Sequence, residues 1–291
     1  MSMNEYENGS GVHFDDTSEN KEVTIPEGTV EIYENAFRGF EHLECVKLPR
    51  SLRRIGACAF AECKNLKKVD MAFGIYEIGD EAFSSCSSLC EITVPDSCKI
   101  IGEGAFEACA ALTRVKLSES ITEIGPCAFS FCFNLTDITV PDSCVSVDFS
   151  AFSSCFSLEG VKLSENISVL AESLFESCRS LKYIEMPTKL VKISRRAFKG
   201  CSSLSSVILP FGTETIELDA FADCASLARI AVPRGIKELD DEVFGGCDAL
   251  TDISFGGTRE RWESLCHGRA LTIQRSDLKV TTPKVTFMNI E

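Results

Sequence analysis

Apolar residues recur along this chain on a fixed grid. Phenylalanine occupies one grid position ten times at intervals of 23 residues: Phe37, Phe60, Phe83, Phe106, Phe129, Phe152, Phe175, Phe198, Phe221 and Phe244. Six residues after each stands a leucine, from Leu43 and Leu66 through Leu227 and Leu250. Alternating pairs follow, such as Val46/Leu48, Ile92/Val94, Val115/Leu117, Ile138/Val140, Ile184/Met186 and Ile230/Val232. Alternation puts the pair on one face and the residues between on the other, which predicts a short strand. A second apolar column comes next: Ile32, Ile55, Ile78, Ile101, Ile124, Val147, Leu170, Ile193, Ile216 and Leu239. Pro49, Pro95, Pro141, Pro187, Pro210 and Pro233 close the strands, where a missing N–H costs no ladder bond. Gly56, Gly79, Gly102 and Gly125 are read as allowing a tight bend. The Ala-Phe-x-x-Cys segment is too short for a long helix and predicts a helical turn or a short 3₁₀ piece.

A fixed period of this length marks a solenoid, in which each repeat covers the apolar side of its neighbour. The Leu-x-x-apolar-x-apolar core is the leucine-rich-repeat signature. The expected fold is therefore a leucine-rich-repeat solenoid of 23-residue units. It has a parallel β-sheet on one face and short helical or extended segments on the other. A longer duplication is superimposed: TVPDSC occurs at 93–98 and 139–144, while VKLSESI (115–121) is answered by VKLSENI (161–167). Phe14, Val23, Ile25 and Ile32 keep the grid, but Thr17 and Asn20 hold the Cys and Leu slots. This divides the chain into a mobile tail (1–13), a degenerate capping repeat (14–36), the solenoid (37–255) and a C-terminal cap (256–291). In that cap Trp262, Leu265 and Cys266 line one side of a short helix. Leu271/Ile273 and Val285/Phe287 suit extended pieces, and Trp262 is read as a cap residue.

Composition changes the picture in two ways. There are 44 acidic and 29 basic residues in the 291, a net charge of −15. That favours solubility and argues against nucleic acid or anionic lipid as a partner. The 16 cysteines would suggest a disulfide scaffold. However, nine of them form one column, three residues after each Phe from Cys63 to Cys247, and Phe40 fills that slot in the first repeat. A slot taken by Cys or Phe is an apolar slot, so these are read as buried thiols. Cys98 and Cys144 align with Ile121 and Ile167 and are read the same way. No apolar run is long enough to span a membrane. The start MSMNEYENGSGVHFDDTSEN is not a secretory signal. Together with the thiols, this favours a cytoplasmic, reducing compartment.

Catalytic chemistry is not legible. The three histidines, His13, His42 and His267, share no face. Cys58/Cys63 and Cys127/Cys132 have a spacing that zinc sites use, but each pair includes one column thiol and no second pair is expected beside it. There is no nucleophile elbow, no phosphate-cradling glycine loop and no carboxylate pair. The expectation is no enzyme, no cofactor and no metal. Asn8, Asn134 and Asn166 begin glycosylation-type triplets, which matter only on a secretory route.

A contact surface remains. Between the apolar pairs, one outward column reads Lys47, Asp70, Thr93, Lys116, Thr139, Lys162, Glu185, Ile208, Ala231 and Ser254. Its neighbour includes Arg114, Asp137, Gly160 and Tyr183. With strands about 4.8 Å apart, this face runs on the order of 45 Å, enough for a protein or an extended peptide. The candidate contacts are Arg114, Lys116, Lys162, Tyr183 and Ile208. The competing reading is a solvated sheet face with binding elsewhere.

The segments IGEGAFEACAALTRVKL and ISRRAFKGCSSLSSVILP closely resemble the BspA-like leucine-rich repeat family over roughly residues 14–255. ISFGGTRERWESL is similar to the usual ending of that family. The resemblance implies a solenoid that lines its concave side with strands and binds proteins. Members with an assigned role are bacterial surface or secreted adhesins that bind host proteins, and related proteins occur in parasitic protists. It therefore implies a cell-surface or secreted adhesin. The sequence on its own prefers a cytoplasmic scaffold; the rival class is a structural or regulatory repeat array partnered with a separate catalytic protein.

Overall fold

The computed structural model describes residues 3–5, 11–14, 21–240, 242–267, 273–274 and 280–288. Each 23-residue period forms one coil, and coils are numbered by their phenylalanine, from Phe37 (coil 1) to Phe244 (coil 10). A coil carries two short strands, such as Arg114–Lys116 and Glu123–Ile124 in coil 4. Strands pair in parallel with their equivalents one period away, as in Arg114↔Glu91 and Glu123↔Ile100. The solenoid therefore has two sheet faces. The second apolar column, read as extended or short helical, is a row of two-residue strands. That row runs unbroken from the N-terminal strands to Ser146–Val147 and resumes at Val169–Leu170.

The core is a spine of rings. The ten phenylalanines are at most 2% exposed. Successive rings stack with centroids 4.9 Å apart at Phe37–Phe60, 5.6 Å at Phe129–Phe152 and 6.0 Å at Phe221–Phe244. Burying each ring contributes about 1.5–3 kcal/mol, and a ring pair adds about 0.5–1.5 kcal/mol. The cysteine column does more than fill space. Each of its nine thiols donates to the carbonyl of the phenylalanine one coil back, at 3.0 Å for Cys63 on Phe37 and 3.2 Å for Cys132 on Phe106. Burial pushes the Cys109 and Cys155 thiols up to about 12, so they stay protonated as donors. Cys98 and Cys144 are fully buried fillers, as their alignment with isoleucines implies.

The Ala-Phe-x-x-Cys segment is neither a helical turn nor a 3₁₀ piece; it is a run of linked β-turns. In coil 2, Ala59, Ala61 and Cys63 donate back three residues to Gly56, Cys58 and Phe60. The alternate N–H groups of Cys58, Phe60 and Glu62 instead donate 22 residues ahead, to Asp80, Ala82 and Ser84. A left-handed residue makes this possible by turning its N–H along the stack. Two positions per coil take it, for example Cys58 (φ 51°) and Glu62 (φ 63°), or Ser150 (φ 54°) and Ser154 (φ 59°). A left-handed residue at every fourth place along the segment breaks any 3₁₀ run.

The repeated glycines are also explained differently from a tight bend. Gly56, Gly79, Gly102 and Gly125 do not have positive φ. A Cβ at Gly56 would sit 2.7 Å from Ile32 O, and one at Gly79 2.7 Å from Ile55 O. Glycine is needed because the coils come together here backbone to backbone.

At the N-terminal end, Glu22–Thr24 and Glu31–Ile32 pair with the strands of coil 1, and Val23, Ile25 and Ile32 are buried. Met3–Glu5 runs antiparallel to Gly11–Phe14; residues 1–2 and 6–10 of the expected tail lie outside the described residues. At the other end the helix α1 (Arg259–Leu265) is capped by Thr258 and buries Trp262 and Leu265. Trp262 packs on Phe255 at 5.1 Å. Lys284–Phe287 adds a parallel strand beside Asp252–Phe255. Leu271 lies outside the described residues. Among the described residues no helix is long and apolar enough to cross a membrane.

Candidate binding surface

The three-residue strands point their central side chain inward and the flanking pair outward. Arg114 and Lys116 are exposed on either side of the half-buried Val115. Lys162 stands two coils on with Thr139 between, in the register Thr139↔Lys162↔Glu185. In the other column Asp137, Gly160 and Tyr183 are neighbours. Tyr183 is 63% exposed, and its ring lies across Gly160, where a Cβ would meet the phenol oxygen at 2.8 Å. Ile208, in coil 8, is 77% exposed.

A shallow depression of about 450 Å³ opens on this face over coils 5–7, lined by Asp137, Thr139, Gly160, Lys162, Tyr183 and Glu185 among others. The structure thus brings Lys162 and Tyr183 together. Arg114 and Lys116 lie one coil before the depression, and Ile208 one coil after it. The five candidates form a track along the face rather than one pocket.

Some cations bridge coils: Arg54 holds Glu31 at 2.7 Å and Glu77 at 3.2 Å, and Lys237 holds Glu214 at 2.7 Å. On the strand face Lys68 pairs with Asp70 at 2.8 Å. Glu44 lies between Lys21 and Lys67, whose ammonium groups hold its carboxyl down at about 2. Among the described residues, Arg114, Lys116 and Lys162 form no ion pair. At the rim of the face Glu165 accepts from the Thr188 hydroxyl at 2.6 Å and its N–H at 2.7 Å, which lowers its carboxyl below the usual range.

The other candidate chemistry resolves into structure. Cys63 and Cys132 are buried in the thiol column, while Cys58 is half-buried 3.8 Å from Glu81. Among the described residues no group of three or more His, Cys, Asp or Glu side chains converges as a metal site. The Asn134 and Asn166 amides donate to Ala110 O at 2.9 Å and Asp142 O at 2.7 Å, tying adjacent coils. Asn8 lies outside the described residues.

One surface feature escaped the sequence reading. Phe133 stacks on Phe156 at 4.9 Å, Phe131 meets Phe133 edge-on at 6.1 Å, and the Arg179 guanidinium covers Phe156 at 4.7 Å. These residues lie on the turn edge, away from the strand face. The signal was present: Phe133 and Phe156 interrupt a column that otherwise holds small or polar residues.

The model of the BspA type Leucine rich repeat region matches the chain with 6 copies, over residues 12–132, 76–200 and 170–266. No curated protein matches it. Among solved structures, the leucine rich repeat protein of T. pallidum is 27% identical with a TM-score of 0.51, over 70% of this chain and 87% of that one. The pneumococcal vaccine antigen PcpA is 19% identical with a TM-score of 0.59, over 93% of this chain and 80% of that one. A leucine rich cell surface protein from Faecalibacterium prausnitzii is 23% identical with a TM-score of 0.46, over 89% and 97%.

Proposed function

The chain belongs to the BspA-type leucine-rich repeat family, and from that membership we propose that it is a non-enzymatic solenoid that binds a protein or an extended peptide on its strand face. One observation carries the choice of face. In a molecule of net charge −15, Arg114, Lys116 and Lys162 stand exposed there and, among the described residues, form no ion pair. The partner presents carboxylates to Lys116 and Lys162, which lie two strands, about 10 Å, apart. It presents apolar groups to Tyr183 and Ile208. Exposed charge pairs contribute only about 0.2–1 kcal/mol each, so the lysines set register while the desolvated aromatic and aliphatic contacts supply most of the affinity.

The finer form of the proposal is adhesion of a bacterial surface protein to a host protein, the role that family membership implies. A second reading, a cytoplasmic scaffold, is supported by one observation: Cys45, Cys58 and the twelve cysteines from Cys86 to Cys247 are free thiols, as is usual in reducing compartments. Fractionation of the native cells separates the two, since protease-accessible protein on the outer surface rules out the scaffold. For the binding face, host surface proteins are captured on the immobilised chain and on a Lys116→Glu/Lys162→Glu variant. The expected result is a partner retained by the first, retained less by the second, and held more weakly but not released as salt rises. A partner held equally by both places the contact elsewhere on the molecule.

A further inference from the structure

The turn edge that carries Phe131, Phe133 and Phe156 differs from the rest of this acidic surface, and it does so independently of the strand face. Consider the positions two, four and five residues after each phenylalanine in coils 3–8. They are mostly serine and alanine, with one glycine and one asparagine, and the three phenylalanines fall in coils 5 and 6. The only charge among them is Arg179, in a chain that is 25% charged. Phe131 is 42% and Phe133 37% exposed, so aromatic surface faces water at the middle of this strip. Contiguous apolar surface rimmed by small polar residues marks an interaction site.

We propose that this edge is the interface of a twofold dimer, with a second copy of this chain as its occupant. Two properties of the strip favour that partner over another protein. The first is charge. Two molecules of net charge −15 repel each other wherever their acidic surfaces meet, and the three positions that make up this strip carry no carboxylate in coils 3–8.

The second is self-complementarity, which a twofold interface requires of a single patch. In coils 3–8 the fourth position reads Ser87, Ala110, Phe133, Phe156, Arg179, Ser202, and the second reads Ser85, Ala108, Phe131, Ser154, Ser177, Gly200. A twofold between coils 5 and 6 runs the partner strip antiparallel. It sets Phe133 against Phe156, Phe131 against Ser154 and Ala110 against Arg179. At these two positions every large side chain then meets a ring or a small residue, and none meets a like charge. The same operation sets coil 7, which carries Arg179 and Glu176, over coil 4 of the second copy, which carries Glu107, so that Arg179 lies between two carboxylates. The Glu107 carboxyl has no ion pair among the described residues, and burial together with Glu81 and Glu103 raises it above the usual range.

Sedimentation equilibrium of the full chain tests the proposal over a range of concentrations at low and high salt. The expected result is a reversible dimer that tightens with salt, because salt screens the mutual repulsion. Phe133→Glu removes a central aromatic and adds like charges near the twofold. It should raise the dissociation constant roughly 30-fold or more, the loss of an interface hot spot, with an unchanged far-UV spectrum. Arg179→Glu, at an exposed residue, should act in the same direction. Lys116→Glu/Lys162→Glu should leave the dimer intact. A strictly monomeric chain overturns the proposal. So does a dimer indifferent to both edge variants, or one dissolved by the lysine pair.

Discussion

At the scale of single residues, identity follows from contact with the adjacent coil rather than from conformation within one's own. The glycine column is an example: its backbone could carry a side chain, but the carbonyl of the neighbouring coil leaves no room for one. The left-handed positions are the converse. Cys127, Phe131, Ser154 and Ser177 accept a conformation that costs a non-glycine residue about 1–2 kcal/mol, because it aims their N–H groups at the next coil's carbonyls. Cysteine suits its column since it is small, apolar and able to donate. That yields a test of thiol chemistry. The twelve buried thiols should react with a disulfide reagent only on unfolding; exposed Cys90 should react first, and Cys45, Cys58 and Cys127 more slowly. The linkage has a definite sign. A thiol ionises near 9 once unfolded, whereas burial in the folded chain pushes Cys109 up to about 12. Above about pH 9 the unfolded state therefore releases protons that the folded state retains, and stability falls from there towards pH 12. The denaturant midpoint should drop between about pH 8 and about pH 10.5. A flat profile contradicts the burial of the column.

At the scale of elements, a strand here is two or three residues long and has no stability apart from its neighbours. The ring spine makes the consequence measurable. Phe129 is sandwiched between Phe106 at 5.2 Å and Phe152 at 5.6 Å. Phe37 opens the series of ten rings, next to the N-terminal capping repeat, where it stacks on Phe60 and meets Phe40 edge-on. Phe129→Ala should cost about 3–5 kcal/mol in chemical denaturation, and Phe37→Ala less. Equal losses would contradict stacking as the source of stability. Much of this level was legible beforehand, because period-23 columns translate directly into stacked coils and period-2 pairs into strands. The linked turns were not. Their hydrogen bonds connect residues 22 apart, and a propensity argument confined to one segment has no access to such partners. The candidate contacts were half legible: alternation identified the outward columns, but only coordinates show Tyr183 lying over Gly160 beside Lys162. The aromatic edge was overlooked because a Phe in a variable slot departs from the grid on which the reading relied.

At the scale of the molecule, stacking of equivalent coils sets spacing along the strand face in steps of about 4.8 Å, although the hydrogen-bonded ladder is interrupted between Arg114–Lys116 and Asp137–Thr139. Lys116 and Lys162 occupy equivalent places in the two halves of the 46-residue duplication, with coil 5 between them. Deleting residues 117–139 excises one full period and joins Lys116 to Val140, its own column's successor. The shortened chain should fold with the same far-UV spectrum and a lower melting temperature, having lost one coil and a nearest-neighbour interface. Collapse of the fold would show that coils 4 and 6 are not interchangeable neighbours. The two ammonium groups would then be one strand apart, about 5 Å instead of about 10 Å, and an acidic ligand matched to the longer gap should bind more weakly. A body built by translation in this way is a ruler. What it selects for is the distance between features of its partner, and evolution can reset that distance by whole graduations without redesigning the interior.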